Sequence, residues 1–438
     1  MIFPRVWAVA LVITGCAGVA AALDAPQAPH RAKPTEKHLT EPHRTAGHHA
    51  AAAKAAQPAT KSATAHAGAT HSTSKPAPAG KARLTARGSA RANARRSAIK
   101  SRRHHYYERF TASSFSKGDF LAGDVTAGED PVVRQAAIDA LGDMNGTAVV
   151  IDPSNGRILA MVNQKLALSP GAEPCSTIKL TVAMAALSEG LVTRDTPVKL
   201  AGFRMNMTQA LAKSNNLYFE ELGRELGFDR VRHYANQFGL GELAGYNIEG
   251  EQLGVYPDQE LPAAEGGVGR MCSFGQGVSL TPLQLGAFVA AIANGGTLYY
   301  LQHPATPEEA AKLEPKVKRT LDIARYVPDI EDGMAGAVEY GTARRLRASF
   351  NELPVFGKTG TCSDKGTRYG WFASWSDSPQ GSLVTVFFLE GGRPTFGPRA
   401  AELTGEFYKN LWDSNWFASK GQQDAAAIPT MPSQQAQP

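Results

Sequence analysis

The stretch Val355-Phe-Gly-Lys-Thr-Gly-Thr-Cys-Ser-Asp-Lys-Gly-Thr-Arg-Tyr-Gly-Trp-Phe-Ala-Ser-Trp375, followed by Leu383-Val-Thr-Val-Phe-Phe-Leu389, decides the fold. It holds three strand signals, Val355–Thr361, Tyr369–Trp375 and Leu383–Leu389, each rich in β-branched and aromatic residues and bounded by Gly, Asp, Ser or Pro. The connections are too short for the crossover that parallel neighbours require, so the strands are expected to run antiparallel. Upstream, Thr147–Asp152 and Arg157–Asn163 form another apolar pair, joined by Pro-Ser-Asn-Gly, a hairpin signal. Between these groups the apolar spacing is helical at 176–189, 207–213, 217–226, 229–238 and 282–294. Thr281-Pro282 opens the last of these and Gly295-Gly296 closes it. A further helix is expected after Asp332, leading through Ala343-Arg344, and a closing one at Pro398–Trp412. Strands from both ends would thus join one antiparallel sheet around a mostly helical insertion, an α+β arrangement with a cleft where sheet and helices meet.

Three short signals carry chemistry: Ser176-Thr-Ile-Lys179, Ser214-Asn-Asn216 and Lys358-Thr-Gly360. Each is weak alone. Ser-x-x-Lys spacing recurs at Ser72/Lys75, Ser97/Lys100 and Ser114/Lys117, but only Ser176 opens a strong helical pattern. A serine hydroxyl needs a base to act as a nucleophile. In the folded region only His233 and His303 are histidines, neither in an Asp-His-Ser context, so Lys179 is the nearer base, provided burial lowers its pKa. Ser214 and Asn216 fall between two helical patterns, where a hydroxyl can relay a proton and an amide can hold a substrate backbone. Alternation puts Lys358 and Gly360 on one strand face and Thr359 and Thr361 on the other. A phosphate-loop reading fails because Glu352 stands where that loop needs glycine.

Composition divides the chain. Residues 1–23 hold one charge, Arg5, followed by the apolar run Val6–Leu23, as in an export signal or a short anchor. Ile13-Thr14-Gly15-Cys16 resembles a bacterial lipobox, which would leave Cys16 lipidated; lipoprotein, uncut anchor and simple cleavage all stay open, and all are extracytoplasmic. Residues 24–105 carry 16 Lys/Arg against 3 Asp/Glu and few large apolar side chains, and are read as a disordered basic tether. Removing its +13 and Arg5 from the total of +6 leaves 106–438 near −8, so the alkaline balance belongs to the tether. It is a solvated spacer or a segment drawn to a membrane surface or an anionic cell-wall polymer. Nine of the 11 histidines lie there without ligand spacing, so no metal, cofactor or nucleic-acid partner is expected. The folded part is expected at 106–419, with a disordered tail at 420–438. Of the four cysteines, Cys16 lies in the export segment and an odd three remain in the folded part, of which Cys272 and Cys362 could pair in an oxidising compartment.

Taken together the motifs resemble the transpeptidase domain of penicillin-binding proteins, within the penicillin-recognising serine enzymes. The likeness extends to the hairpin Ala148–Asn163, to Ala210–Gly227, to Phe274–Gly296 with its Thr281-Pro-Leu-Gln284, and to Gly357–Trp375. It implies a five-stranded antiparallel sheet with an all-helical lobe. It makes Ser176 the acylated nucleophile, Lys179 its base, Ser214 a proton shuttle and Asn216 a substrate-amide contact. Lys358, Thr359 and Thr361 would bind the terminal carboxylate, Gly360 would let the substrate lie close to the strand backbone, and the N–H groups of Ser176 and Thr361 would be the oxyanion donors. The implied substrate is a peptidoglycan stem peptide ending in D-Ala-D-Ala, with β-lactams as covalent mimics. The sequence departs from the family at Pro174-Cys175, where Pro-Gly is usual, and in a short interval from Ser176 to Ser214. A class D-like β-lactamase and a non-turnover penicillin sensor remain as other readings.

Overall fold

A computed structural model describes residues 112–419. The expected signal or anchor (1–23), the tether (24–105), the domain start at 106 and the tail (420–438) lie outside the described residues. Among the described residues no helix is long and apolar enough to cross a membrane.

Five strands form one sheet: β1 (Gly146–Asp152), β2 (Arg157–Val162), β3 (Val355–Asp364), β4 (Thr367–Ser378) and β5 (Gly381–Gly391). Their order is β2-β1-β5-β4-β3 and every pairing is antiparallel. The last strand in sequence therefore lies in the middle, joining the opening hairpin to the late strands. Side-chain alternation sends Val149, Ile151, Trp371, Ala373 and Trp375 to one face, and Ala148, Val150 and Phe372 to the other. Both faces are covered, which is why β1 is buried along its whole length.

On the second face lie α1 (Pro131–Leu141) and the long closing helix Gly397–Asp413, which contributes Phe407, Tyr408 and Leu411. The first face carries the helical lobe. Its centre is α2 (Lys179–Ser188), buried at every position from Lys179 to Leu187, as an all-round apolar helix must be. Around it pack α3 (Met207–Lys213), α4 (Asn216–Leu226), α5 (Phe228–Gln237), α6 (Gly267–Phe274) and α7 (Pro282–Ala293). Helix α7 starts with the capping box of Thr281 and Gln284 and lies on the sheet, Gly286 allowing close approach to Ile151 and Val386.

The α+β expectation holds, and all five strand signals are present, the late ones extended by a few residues. One helix differs. The element expected after Asp332 is α8, spanning Val327–Glu339, and it ends before Ala343-Arg344, where a separate 3-10 turn Arg344–Ala348 follows. Just past the end of α8, a Cβ on Gly341 would meet the Ala212 carbonyl oxygen at 2.1 Å, so only glycine fits where the chain passes α3.

Candidate active site

Ser176 does not open the α-helix itself. It lies in a 3-10 turn, Cys175–Ile178, that runs directly into Lys179 of α2. In a 3-10 turn residues three apart eclipse one another, which stacks the lysine over the serine. Lys179 Nζ is 2.6 Å from Ser176 Oγ.

The second motif sits at the junction of α3 and α4. Ser214 takes a left-handed backbone (φ +52°), ending α3, and the Asn215 side chain accepts the Tyr218 N–H to start α4. That tight reversal aims two neighbours at one amine: Lys179 Nζ is 2.7 Å from Asn216 Oδ1 and 3.4 Å from Ser214 Oγ. A neutral lysine bonded to those two oxygens turns its remaining lone pair to the Ser176 hydroxyl.

The third motif is on the edge strand β3. Lys358 is wholly buried, donating to Ser214 Oγ at 2.8 Å and to the Thr359 carbonyl at 3.0 Å. Ser214 therefore stands between two lysines. Gly360 shares that face: a Cβ there would lie 2.8 Å from the Pro174 carbonyl oxygen and 3.1 Å from Thr177 Cγ2. A side chain would push the strand off the Ser176 turn. The alternate face belongs to the two threonines. Thr359 Oγ1 is 2.6 Å from Thr342 Oγ1, and Thr361 Oγ1 accepts the Gly397 N–H at 2.8 Å. Thr361 is exposed, whereas Thr359 is buried with its hydroxyl engaged by Thr342.

Burial controls the charges. Desolvation lowers the Lys179 ammonium to about 7, opposed by the more distant Glu220 carboxylate. Lys358 is pushed well below the ordinary lysine value by burial and then by the charge of Lys179. Two ammonium groups against one hydroxyl repel, so deprotonating one favours the proton on the other.

The structure overturns the expected Cys272–Cys362 pair. The disulfide joins Cys175 to Cys362, with Cα atoms 5.4 Å apart. Cys272 is a free, buried thiol on α6, whose sulfur would lie 2.6 Å from a Cβ on Gly223 of α4, and burial raises its pKa. Two signals for the true pair stood in the sequence: one cysteine precedes Ser176 and the other follows Thr361. If those motifs meet, their cysteines meet. Also missed were Thr342 and Gly397, which hold the two threonines of β3, and Trp371, whose Nε1–H donates to the Glu173 carbonyl at 3.0 Å and ties β4 to the turn before the nucleophile. Among the described residues no group of His, Cys, Asp and Glu is arranged to hold a metal ion.

Ser176, Lys179, Ser214, Asn216 and Lys358 thus converge where the helical lobe meets the sheet edge, while the Thr359 and Thr361 hydroxyls bond to Thr342 and Gly397. Comparison with known proteins gives a consistent result. Residues 146–409 match the family model "Penicillin binding protein transpeptidase domain". The chain is 30% identical over 316 residues to Stage V sporulation protein D of Bacillus subtilis (strain 168), covering 60% of this chain and 48% of that one. It is 27% identical over 291 residues to Peptidoglycan D,D-transpeptidase FtsI of Escherichia coli (strain K12), covering 59% and 46%. It spans about half the length of the curated relatives it matches. A crystal structure of Pseudomonas aeruginosa PBP2 in complex with WCK 5153 has the same fold, with a TM-score of 0.55 and 23% identity over 66% of this chain and 74% of that one. By its matching residues, and by a sheet and helical lobe arranged as in a solved relative, the chain belongs to the penicillin-binding protein transpeptidase domain family.

Proposed function

We propose that the chain is a serine D,D-transpeptidase acting outside the cytoplasm on peptidoglycan stem peptides ending in D-Ala-D-Ala, through an ester at Ser176. The observation that carries this reading is the 2.6 Å approach of a lysine with a pKa of about 7 to a serine hydroxyl, beside a second buried lysine. Neutral Lys179 takes the Ser176 proton as Oγ bonds to the carbonyl carbon of the penultimate D-Ala. The N–H groups of Ser176 and Thr361 receive the oxyanion. As the C–N bond breaks, the proton passes from Lys179 through Ser214 to the departing D-Ala amine. An acceptor amine, or water in a carboxypeptidase reaction, then attacks the ester, giving its proton back along the same path.

Lys358 and the Thr361 hydroxyl hold the terminal carboxylate, and Asn216 contacts the peptide amide. A bound carboxylate favours the ammonium form of Lys358, and that charge in turn favours a neutral Lys179. Substrate thus prepares its own base. Thr359 contributes to this through its backbone and its bond to Thr342, rather than as a hydroxyl donor. A β-lactam carries the same carboxylate and acyl carbon in strained form and acylates Ser176 without releasing an amine fragment. The N-terminal segment would attach the domain to a membrane or cell-wall polymer, or be removed on export.

Incubation of the protein with a fluorescent penicillin, then with a D-Ala-D-Ala peptide, tests the proposal. Long-lived label on Ser176 with D-Ala release is the expected result. Rapid loss of label indicates a β-lactamase, and label without peptide turnover a sensor. Labelling that survives Ser176→Ala refutes the assignment of the nucleophile.

A further inference from the structure

The Cys175–Cys362 disulfide joins segments 187 residues apart in sequence, at one particular seam. Cys175 immediately precedes Ser176, and Cys362 immediately follows Thr361. The two backbone N–H groups assigned above to the oxyanion belong to those same neighbours, so each donor is one residue from the cross-link. The cross-link also sits where the backbone is unusual. Cys175 holds a left-handed conformation (φ +52°) in which a non-glycine residue is disfavoured, and its side chain is wholly buried. Both sulfurs lie against the Glu173 carbonyl oxygen, at 3.4 and 3.8 Å, the same oxygen that accepts the Trp371 indole N–H.

Other restraints act on parts of the site, but none joins these two donors covalently. Lys179, Asn216, Ser214 and Lys358 form a chain of hydrogen bonds among side chains, and the Gly360 contact is steric. Neither is a covalent link between the backbones of Ser176 and Thr361, nor is the Trp371–Glu173 hydrogen bond. The carboxylate-binding groups are differently placed: Lys358 is held by Ser214 and the Thr359 carbonyl, and Thr361 Oγ1 by Gly397. Cutting the S–S bond leaves those restraints in place.

We propose that Cys175 and Cys362 are positioning residues for the oxyanion donors, so that reduction slows bond formation at Ser176 while leaving initial ligand binding intact. This rests on the transpeptidase reading above. Reduction by a dithiol breaks the S–S bond and makes two thiols, with two electrons and two protons supplied by the dithiol as it closes to its own disulfide. The catalytic lysines lose no hydrogen bond in this step. What loosens is the angle and spacing of two backbone donors, where small displacements carry large rate penalties.

The test uses the full chain, oxidised and after dithiothreitol, with thiols counted by alkylation and mass. Rapid-mixing kinetics with a fluorescent penicillin separate initial binding from acylation, and a boronic acid reports affinity for a tetrahedral, oxyanion-like adduct. Reduction is expected to slow acylation at least tenfold, to weaken the boronic acid in parallel, to change initial binding less than threefold, and to reverse on reoxidation. The double variant Cys175→Gly with Cys362→Ser, in which glycine accepts the left-handed backbone, is expected to show the slow rate without reductant; it supplies the same readout if the reduced protein unfolds. Cys272→Ala should leave the effect of reductant unchanged. Equal acylation rates in oxidised and reduced folded protein, or a loss confined to initial binding, would overturn the inference while leaving the serine mechanism standing. Label that never forms on Ser176 in the oxidised protein defeats the mechanism instead.

Discussion

Acylation should follow the protonation of Lys179, and the size of the effect can be worked from its surroundings. An ordinary lysine, at 10.5, leaves about 3 amines in 10,000 neutral at pH 7, whereas a pKa of about 7 leaves about half neutral. Burial thus raises the reactive fraction on the order of a thousandfold, equivalent to roughly 4 kcal/mol of barrier at neutral pH. The sign is fixed because the neutral amine is the proton acceptor. The second-order rate constant, which reports the free protein, should rise about tenfold per pH unit up to about pH 7, and the rate of ester formation from pre-bound penicillin should level off at a lower pH, because the bound carboxylate favours a neutral Lys179. Lys358 works in the opposite sense: it must stay charged to hold a carboxylate, and burial eases its deprotonation. Initial binding should therefore weaken on the alkaline side, giving a bell-shaped second-order rate constant above a sigmoidal first-order one. Rapid mixing from pH 5 to 9, with thermal unfolding monitored at each pH, separates the two curves. A second-order rate constant flat between pH 5 and 7, or a first-order rate still climbing tenfold per unit beyond pH 8, would refute Lys179 as the base.

The same depressed pKa costs stability. Between pH 7 and 10.5 the unfolded chain binds the Lys179 proton more readily than the folded one, so stability should climb through that window. Lys179→Met should flatten that climb and raise the denaturant midpoint at pH 7 while abolishing acylation; an unchanged pH dependence would contradict the burial argument. Lys358→Met should weaken carboxylate-bearing ligands by about 1.5–3 kcal/mol, the usual worth of a charged hydrogen bond, but leave their methyl esters unaffected in a competition assay. Equal losses for acid and ester would sink the assignment. Gly360→Val places carbon atoms where the Pro174 carbonyl now lies 2.8 Å from the Cβ position, and should reduce acylation more than tenfold; a full rate would mean that β3 and the nucleophile turn are not tightly apposed. Removing the disulfide should lower the unfolding free energy by up to about 5 kcal/mol on the chain-entropy account, given its 187-residue span, as read from urea curves with and without dithiothreitol.

How far the sequence could be read depended on how local each signal was. The strands were legible because β-branched runs with turn residues between them have few alternatives, and short connections exclude parallel pairing. The joining of the opening hairpin to the late strands followed from the same pattern. Ser176, Lys179, Ser214, Asn216 and Lys358 were legible as an ordered set, and the structure brings them together. The failures were matters of distance. Whether Cys272 or Cys175 reaches Cys362 depends on which helix faces the β3 edge, and periodicity does not encode that. The chain after α8 passes the Ala212 carbonyl at Gly341, a contact between segments far apart in sequence that periodicity does not reveal. The role of Thr359 was blurred for a related reason: alternation correctly separated it from Lys358, but only the fold supplies Thr342 as its partner.

The sheet order β2-β1-β5-β4-β3 also has a temporal meaning. The strand that bridges the two groups follows the other four in sequence, and the strands against which the Ser176 turn packs stay unjoined to the opening hairpin until it emerges. Contacts that must wait for so late a segment slow assembly and make it all-or-none. An amino-terminal fragment ending before Gly381 would carry all three motifs yet lack the central strand that joins their supports, and so should take no penicillin. On the proposed mechanism, the Ser176 hydroxyl is thereby withheld from reaction in the nascent chain until that strand has been made.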